Sequence, residues 1–104
     1  MNKNQKQKDN NQKNTNADYL YKAILQLKTE DECRSFFEDL CTVNELASIS
    51  QRLYVAKLLT ERHVYNDIVK MTGASTATIS RTNRSLQFGS GGYDIVFKRL
   101  KGNE

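Results

Sequence analysis

The side chains between residues 76 and 84 include several that are suited to binding a nucleic acid. Thr76 and Ser80 carry hydroxyl groups, which can hydrogen-bond to base edges, and the methyl group of Ala77 can contact a thymine methyl. Arg81 and Arg84 carry guanidinium groups, which pair well with phosphate. On a helix, residues 77, 80, 81 and 84 are spaced i, i+3, i+4 and i+7, so they share one face, which Thr76 borders. The pattern predicts a helix that binds a nucleic acid through this face.

A short helix and a turn precede this segment and would position it. Ile68 and Val69 are the inward-facing residues of the short helix, and Gly73 lies in the turn, where a residue that tolerates positive φ is needed. Ile79 then supplies an apolar contact from the second helix to the first. Residues 64–86 therefore predict a helix-turn-helix, whose second helix is free to enter the major groove of DNA.

The distribution of charge supports this interpretation. The chain has a formal net charge of +4. Residues 1–69 contain ten basic and ten acidic residues, whereas residues 70–104 contain six basic and two acidic residues and carry the whole excess. A run of charge is often only a solvated surface. Because this one coincides with the predicted reading helix, we interpret it as a surface that faces phosphate and include Lys70 in it.

The competing interpretation of residues 75–85 is an ordinary polar helix face. Serine and threonine lower the propensity to form a helix, because their hydroxyls compete for backbone hydrogen bonds. A segment rich in both is therefore a poor helix former, and a binding role explains its composition better than helix stability does.

The rest of the chain predicts a polar tail and one helical domain. Residues 1–15 are rich in Asn, Lys and Gln and predict a disordered tail, while residues 16–104 form the domain. A first helix is expected from Asn16 to Lys28. Capping boxes at Thr29 with Glu32, and at Thr42 with Glu45, open the second and third helices. A last helix follows a glycine-rich joint at residues 88–92, with Tyr93, Val96, Phe97 and Leu100 on one face. The fold class is all-α.

The third helix, which extends to about Thr60, is too broadly apolar for a single small domain to cover. Leu46, Ile49, Leu53 and Ala56 form one stripe, and further apolar residues widen it. We therefore expect a second subunit to cover this surface and predict a homodimer.

Composition argues against several other classes of protein. No apolar stretch approaches the length of a membrane span, and residues 1–14 lack the apolar core of a secretion signal, so we expect a cytoplasmic protein with no membrane partner. Cys33 and Cys41 lie on one apolar stripe and are expected to be buried, reduced thiols. The single histidine, His63, has no neighbouring nucleophile or carboxylate pair, so we expect neither an enzyme nor a metal site.

From about Leu20 onward, and most closely over residues 42–86, the chain resembles the tryptophan repressor superfamily, in particular its YerC/YecD-type members from Gram-positive bacteria. The resemblance depends on five short motifs: Gln51-Arg52-Leu53, Leu58-Leu59, Gly73-Ala74, Ala77-Thr78-Ile79-Ser80-Arg81 and Ser85-Leu86. It implies a helical homodimer with intertwined subunits that acts as a repressor of transcription under the control of a small corepressor.

The resemblance also implies particular site residues. It assigns DNA contacts to Thr76, Ala77 and Ser80, the two corepressor arginines to Arg52 and Arg81, and a contact to the ligand amino group to Ser85. The tryptophan-binding members have a glycine where this chain has Thr82, which narrows the slot for an indole. We therefore expect a different small amino acid, or no ligand.

Two alternatives remain open at this stage. Arg52 and Arg81 could instead form salt bridges with Glu45 or Glu61, or contact phosphate alone. The protein as a whole could be a helix-turn-helix adaptor, binding DNA or another protein without ligand control. The basic excess after residue 69 favours DNA over a protein partner.

Overall fold

The computed structural model describes residues 15–103, in which all regular secondary structure is helical. The helices are α1 (residues 15–24), α2 (Glu30–Leu40), α3 (Val43–Thr60), α4 (Tyr65–Thr72), α5 (Thr76–Phe88) and α6 (Gly92–Gly102). They fall into two compact units, which divide between Thr42 and Val43. The predicted polar tail lies outside the described residues except for Thr15, which is helical. The all-α prediction is confirmed. Within the described part of the chain, no helix is long and apolar enough to cross a lipid bilayer.

The first unit contains α1 and α2, and its predicted capping box is present. The backbone N–H of Glu32 donates to the Thr29 hydroxyl at 3.1 Å, while the Glu32 carboxylate accepts from the N–H of Lys28 at 2.8 Å. In a standard capping box this carboxylate accepts from the N–H of the cap residue, which here is Thr29. In this protein it accepts instead from the residue before the cap. Helix α1 ends at residue 24, earlier than the predicted Lys28, because the N–H groups of residues 26 and 27 bond three residues back and form a tighter turn.

The two cysteines of the described chain differ from the prediction in burial. Cys33 and Cys41 are both free thiols, as expected, but each is half-buried rather than buried. Helix α2 has no fully buried residue, so its apolar stripe remains partly open in this chain.

The second unit is organised around α3, which begins and ends where the sequence predicts. Val55 and Leu58 of α3 meet Ile68 of α4, Ala74 of the turn and Ile79 of α5 in one buried cluster. Because the three helices share this core, α4 and α5 are both held against α3.

A compact bend joins α3 to α4. Arg62 adopts a left-handed backbone conformation with φ of 68°, the only non-glycine residue among the described ones to do so. The N–H of His63 bonds to the carbonyl of Leu58, and that of Arg62 to Leu59, both at 3.1 Å. This is the hydrogen-bond pattern that ends a helix with a left-handed residue, a place that glycine usually occupies.

The turn between α4 and α5 follows the prediction. Gly73 has a φ of +73°, and its N–H bonds to the carbonyl of Val69 at 2.8 Å. The Thr72 hydroxyl donates to the carbonyl of Ile68 and accepts from the N–H of Ala74, so it ties the turn to α4. Ser75 then caps α5 by accepting from the N–H of Thr78 at 3.1 Å.

Large apolar side chains remain exposed in the second unit. On α3, Ile49, Leu53 and Tyr54 are 45%, 44% and 45% exposed. The predicted apolar face of α6 is also only partly covered. Tyr93 stacks on Phe97 with 5.9 Å between the ring centroids, whereas Val96 and Leu100 are exposed. The exposed α3 side chains belong to the surface that the sequence assigns to a partner subunit.

Candidate nucleic-acid interface and adjoining pocket

Helix α5 has a buried side and an exposed, polar side. Ile79 is fully buried and Leu86 is half-buried, which anchors the helix in its unit. The predicted contact residues Thr76, Ala77, Ser80, Arg81 and Arg84 are all exposed, and we call this set the outer face of α5. The structure thus brings these residues together on one surface, with hydroxyl and methyl groups near the start of the helix and guanidinium groups further along it.

Lys70 lies on α4 rather than on α5. Its side chain is exposed, in the last turn of α4 just before Gly73. It contributes positive charge to the same three-helix unit but is not part of the outer face of α5.

A pocket of about 280 Å³ lies beside the outer face, between α3 and α5. Arg52 of α3 lines it together with Thr78, Arg81, Thr82 and Ser85 of α5, and we call it the α3–α5 pocket. All four residues predicted to contact a ligand are therefore neighbours in the fold. Thr78 was not predicted, although its spacing to Thr82 and Ser85, at i, i+4 and i+7, places it on the same side of the helix.

The hydroxyl of Thr82 is already engaged within the helix. It donates to the main-chain carbonyl of Thr78 at 2.8 Å, and the Thr82 side chain is 3% exposed. A glycine at position 82 would lack this side chain. The α3–α5 pocket is therefore narrower at this wall with Thr82 than it would be with glycine.

One of the two carboxylates considered as partners of the pocket arginines is engaged elsewhere. Glu61, one of the carboxylates considered as their partner, lies instead 3.9 Å from Lys57 and 3.8 Å from His63. Glu61 therefore forms no ion pair with Arg52 or Arg81. The pocket thus presents two guanidinium groups and a serine hydroxyl, which suits an anionic group.

Two side-chain hydrogen bonds that the sequence did not predict position α4 and α5. The Gln51 amide donates to the main-chain oxygen of Thr72 at 3.1 Å, and the Asn83 amide donates to the Tyr65 hydroxyl at 3.2 Å. The first joins α3 to the end of α4, and the second joins α4 to α5. Gln51 is part of the Gln51-Arg52-Leu53 motif, one of those on which the family resemblance depends. No sequence pattern singles out Tyr65 or Asn83.

A short helix, a glycine turn and a second helix with a polar outer face together are typical of helix-turn-helix regulators. Comparison with known proteins assigns the family. The family model for the Trp repressor protein matches residues 15–101, which include the outer face of α5 and the α3–α5 pocket. The chain belongs to the Trp repressor family, a family of transcription regulators rather than enzymes.

Individual relatives support the same assignment. The uncharacterized protein YerC of Bacillus subtilis is 49% identical over 87 residues, which are 84% of each chain. A crystal structure of a TrpR-like protein from Eubacterium eligens matches with a TM-score of 0.80 and 57% identity, over 84% of this chain and 90% of that one. A Trp repressor candidate from Staphylococcus aureus matches with a TM-score of 0.80 and 49% identity, over 84% and 87%. The Trp repressor-like fold is thereby confirmed.

Proposed function

We propose that this protein is a sequence-specific regulator that represses transcription by placing α5 in the major groove of double-stranded DNA. The observation that carries the proposal is the exposed outer face of α5 on a helix whose other side is anchored by Ile79. A helix held in this way can enter the groove without losing its contacts to α3 and α4.

The residues of the outer face divide into two kinds of contact. Thr76, Ala77 and Ser80 lie near the start of α5 and are suited to base edges and thymine methyl groups. Arg84 lies further along the helix, where its charge is suited to phosphate. The net charge of +4 that residues 70–104 carry favours binding to a polyanion.

We propose further that the active form is a homodimer. The exposed apolar residues of α3 and α6 would be buried against a second copy of the chain, which would offset the cost of leaving them in water. A symmetric dimer would read two half-sites about 34 Å apart, the spacing known for helix-turn-helix dimers, the tryptophan repressor among them. Sedimentation equilibrium at micromolar concentration tests this step, and a folded monomer there would contradict it.

The α3–α5 pocket supports control by a small amino acid. Arg52 and Arg81 would hold the carboxylate of such a ligand and Ser85 its amino group, so that the ligand fixes α5 relative to α3. Thr82 would exclude an indole, which argues for a ligand smaller than tryptophan.

The central test is selection of a binding sequence from random duplexes, followed by fluorescence anisotropy at several salt concentrations. Arg84→Ala should weaken binding to every duplex and reduce the salt slope by about 1, because one phosphate contact is lost. The control is Arg34→Ala, which removes the same charge from an exposed site on α2. If both variants lower the DNA affinity and the salt slope equally, Arg84 of α5 makes no specific phosphate contact.

The alternative function is an adaptor without ligand control. If the wild type binds the selected duplex tightly and none of the twenty amino acids changes that affinity, the protein is a constitutive DNA-binding protein. If no duplex sequence is selected at all, a protein-interaction role becomes the better explanation of the fold.

A further inference from the structure

We propose that Tyr65 is a DNA-contact residue whose hydroxyl donates a hydrogen bond to a backbone phosphate. Asn83 holds that hydroxyl in place. The inference rests on the proposed function, because it assumes that α5 occupies the major groove. It adds a contact on the side of α5 away from the α3–α5 pocket.

The geometry of α5 separates its two flanks. Successive residues of a helix are about 100° apart, so Asn83 and Ser85 lie about 100° to either side of Arg84. Ser85 lines the α3–α5 pocket, which marks the flank that faces α3. Asn83 bonds to Tyr65 at the start of α4, which marks the other flank. The outer face lies between the two.

The direction of the hydrogen bond leaves Tyr65 able to bind a further group. The Asn83 amide nitrogen donates to the Tyr65 oxygen at 3.2 Å, so the phenol acts as an acceptor in this pair. A phenol is both donor and acceptor, and its own proton therefore remains available. Tyr65 is 36% exposed, so part of its surface can contact a group outside the protein.

Phosphate is the acceptor that the position of Tyr65 favours. In helix-turn-helix complexes the second helix reads the bases, while the first helix crosses the backbone. Tyr65 is the first residue of α4, the first helix of the pair. The major groove is about 12 Å wide and is bordered by a phosphate strand on each side, so a group beside the inserted helix meets backbone rather than base edges. Tyrosine hydroxyls are among the usual donors to phosphate.

The test compares Tyr65→Phe with Tyr19→Phe, which removes a hydroxyl from an exposed tyrosine of α1. Tyr65→Phe should weaken binding by about tenfold to a hundredfold on the selected duplex and on a scrambled one, the size expected for one hydrogen bond to a charged group. Its salt slope should equal that of the wild type, because no charge is lost. Tyr19→Phe should bind as the wild type does.

Two further measurements separate a contact from a merely structural role. Asn83→Ala should weaken binding less than Tyr65→Phe, and should add little in the Tyr65→Phe background, because both act through one hydroxyl. Replacing single phosphates by neutral methylphosphonates should identify one position in each half-site that matters to the wild type and not to Tyr65→Phe. Thermal melting would show that each variant remains folded.

The outcomes distinguish this inference from the proposed function. If Arg84→Ala weakens binding while Tyr65→Phe binds as the wild type does, the Tyr65 contact is wrong and the proposed function stands. If Tyr65→Phe changes base preference instead, or no methylphosphonate position separates it from the wild type, the phosphate assignment is also wrong. If the wild type binds no duplex, the proposed function itself fails.

Discussion

The side-chain amide of Gln51 donates a hydrogen bond to the main-chain oxygen of Thr72, 3.1 Å away and 21 residues along the chain. Thr72 is the last residue of α4, and the last carbonyl groups of a helix have no partner within it. Through this bond α3 holds the end of α4 immediately before the turn that leads to α5. The neighbouring residue, Arg52, lines the α3–α5 pocket, so one short stretch of α3 contacts both the turn and the proposed ligand site.

Gln51→Met should lower the free energy of unfolding by about 0.5–1.5 kcal/mol, because methionine has a similar shape but cannot donate to the Thr72 carbonyl. Urea denaturation at one fixed protein concentration measures this. Gln87→Met makes the same change at an exposed position of α5 and should leave stability nearly unchanged. Equal losses in the two variants would mean that the Thr72 bond contributes nothing.

Gly73→Ala should destabilise the protein by about 1 kcal/mol, because an L-residue is strained at a φ of +73° even though a Cβ there would meet no atom within 4 Å. Gly92→Ala is the matched control. It also has free space for a Cβ, but it lies at the start of α6 without positive φ, so alanine should be neutral or stabilising there. Thermal melting should show a lower Tm for Gly73→Ala and an unchanged or higher Tm for Gly92→Ala. A Gly73→Ala variant as stable as the wild type would contradict the expected strain at this φ.

Ser80→Ala should change which base pair is preferred at one position of each half-site, by about 1–3 kcal/mol, because a hydroxyl contact to a base edge is lost. The measurement is a panel of duplexes with single base-pair changes. Ser35→Ala, at an exposed position of α2, should leave the whole preference profile intact. If Ser80→Ala weakens all duplexes equally, Ser80 contacts the backbone instead.

Thr82→Gly should improve tryptophan binding by about tenfold or more, because it removes the buried side chain that narrows the α3–α5 pocket. Titration calorimetry on the wild type and the variant measures this. Gln87→Gly introduces the same helix-weakening residue at an exposed site and should not change tryptophan affinity. Tight binding of tryptophan to the wild type would show that Thr82 does not close the pocket.

Local patterns were sufficient to predict the helices of this protein. The position of Thr29 three residues before Glu32, the glycine at position 73 and the apolar Ile68 and Ile79 each act within one or two turns of helix. Such short-range patterns can be recognised in the sequence alone. They predict α2, the turn and α5 with nearly their observed bounds. The end of α1 was predicted too late, because no glycine or cap residue marks the tighter turn after residue 24.

Side-chain contacts between different helices could not be predicted from local patterns, because they depend on how the helices pack. Arg52 and Ser85 are 33 residues apart in the sequence, and only the packing of α3 against α5 places them in one pocket with Thr78. The resemblance anticipated that pair, but nothing in the sequence anticipates the bonds of Gln51 to Thr72 or of Asn83 to Tyr65. A polar side chain can bond to many partners, and its choice depends on distances that exist only after the buried core of Val55, Leu58, Ile68, Ala74 and Ile79 has brought the helices together.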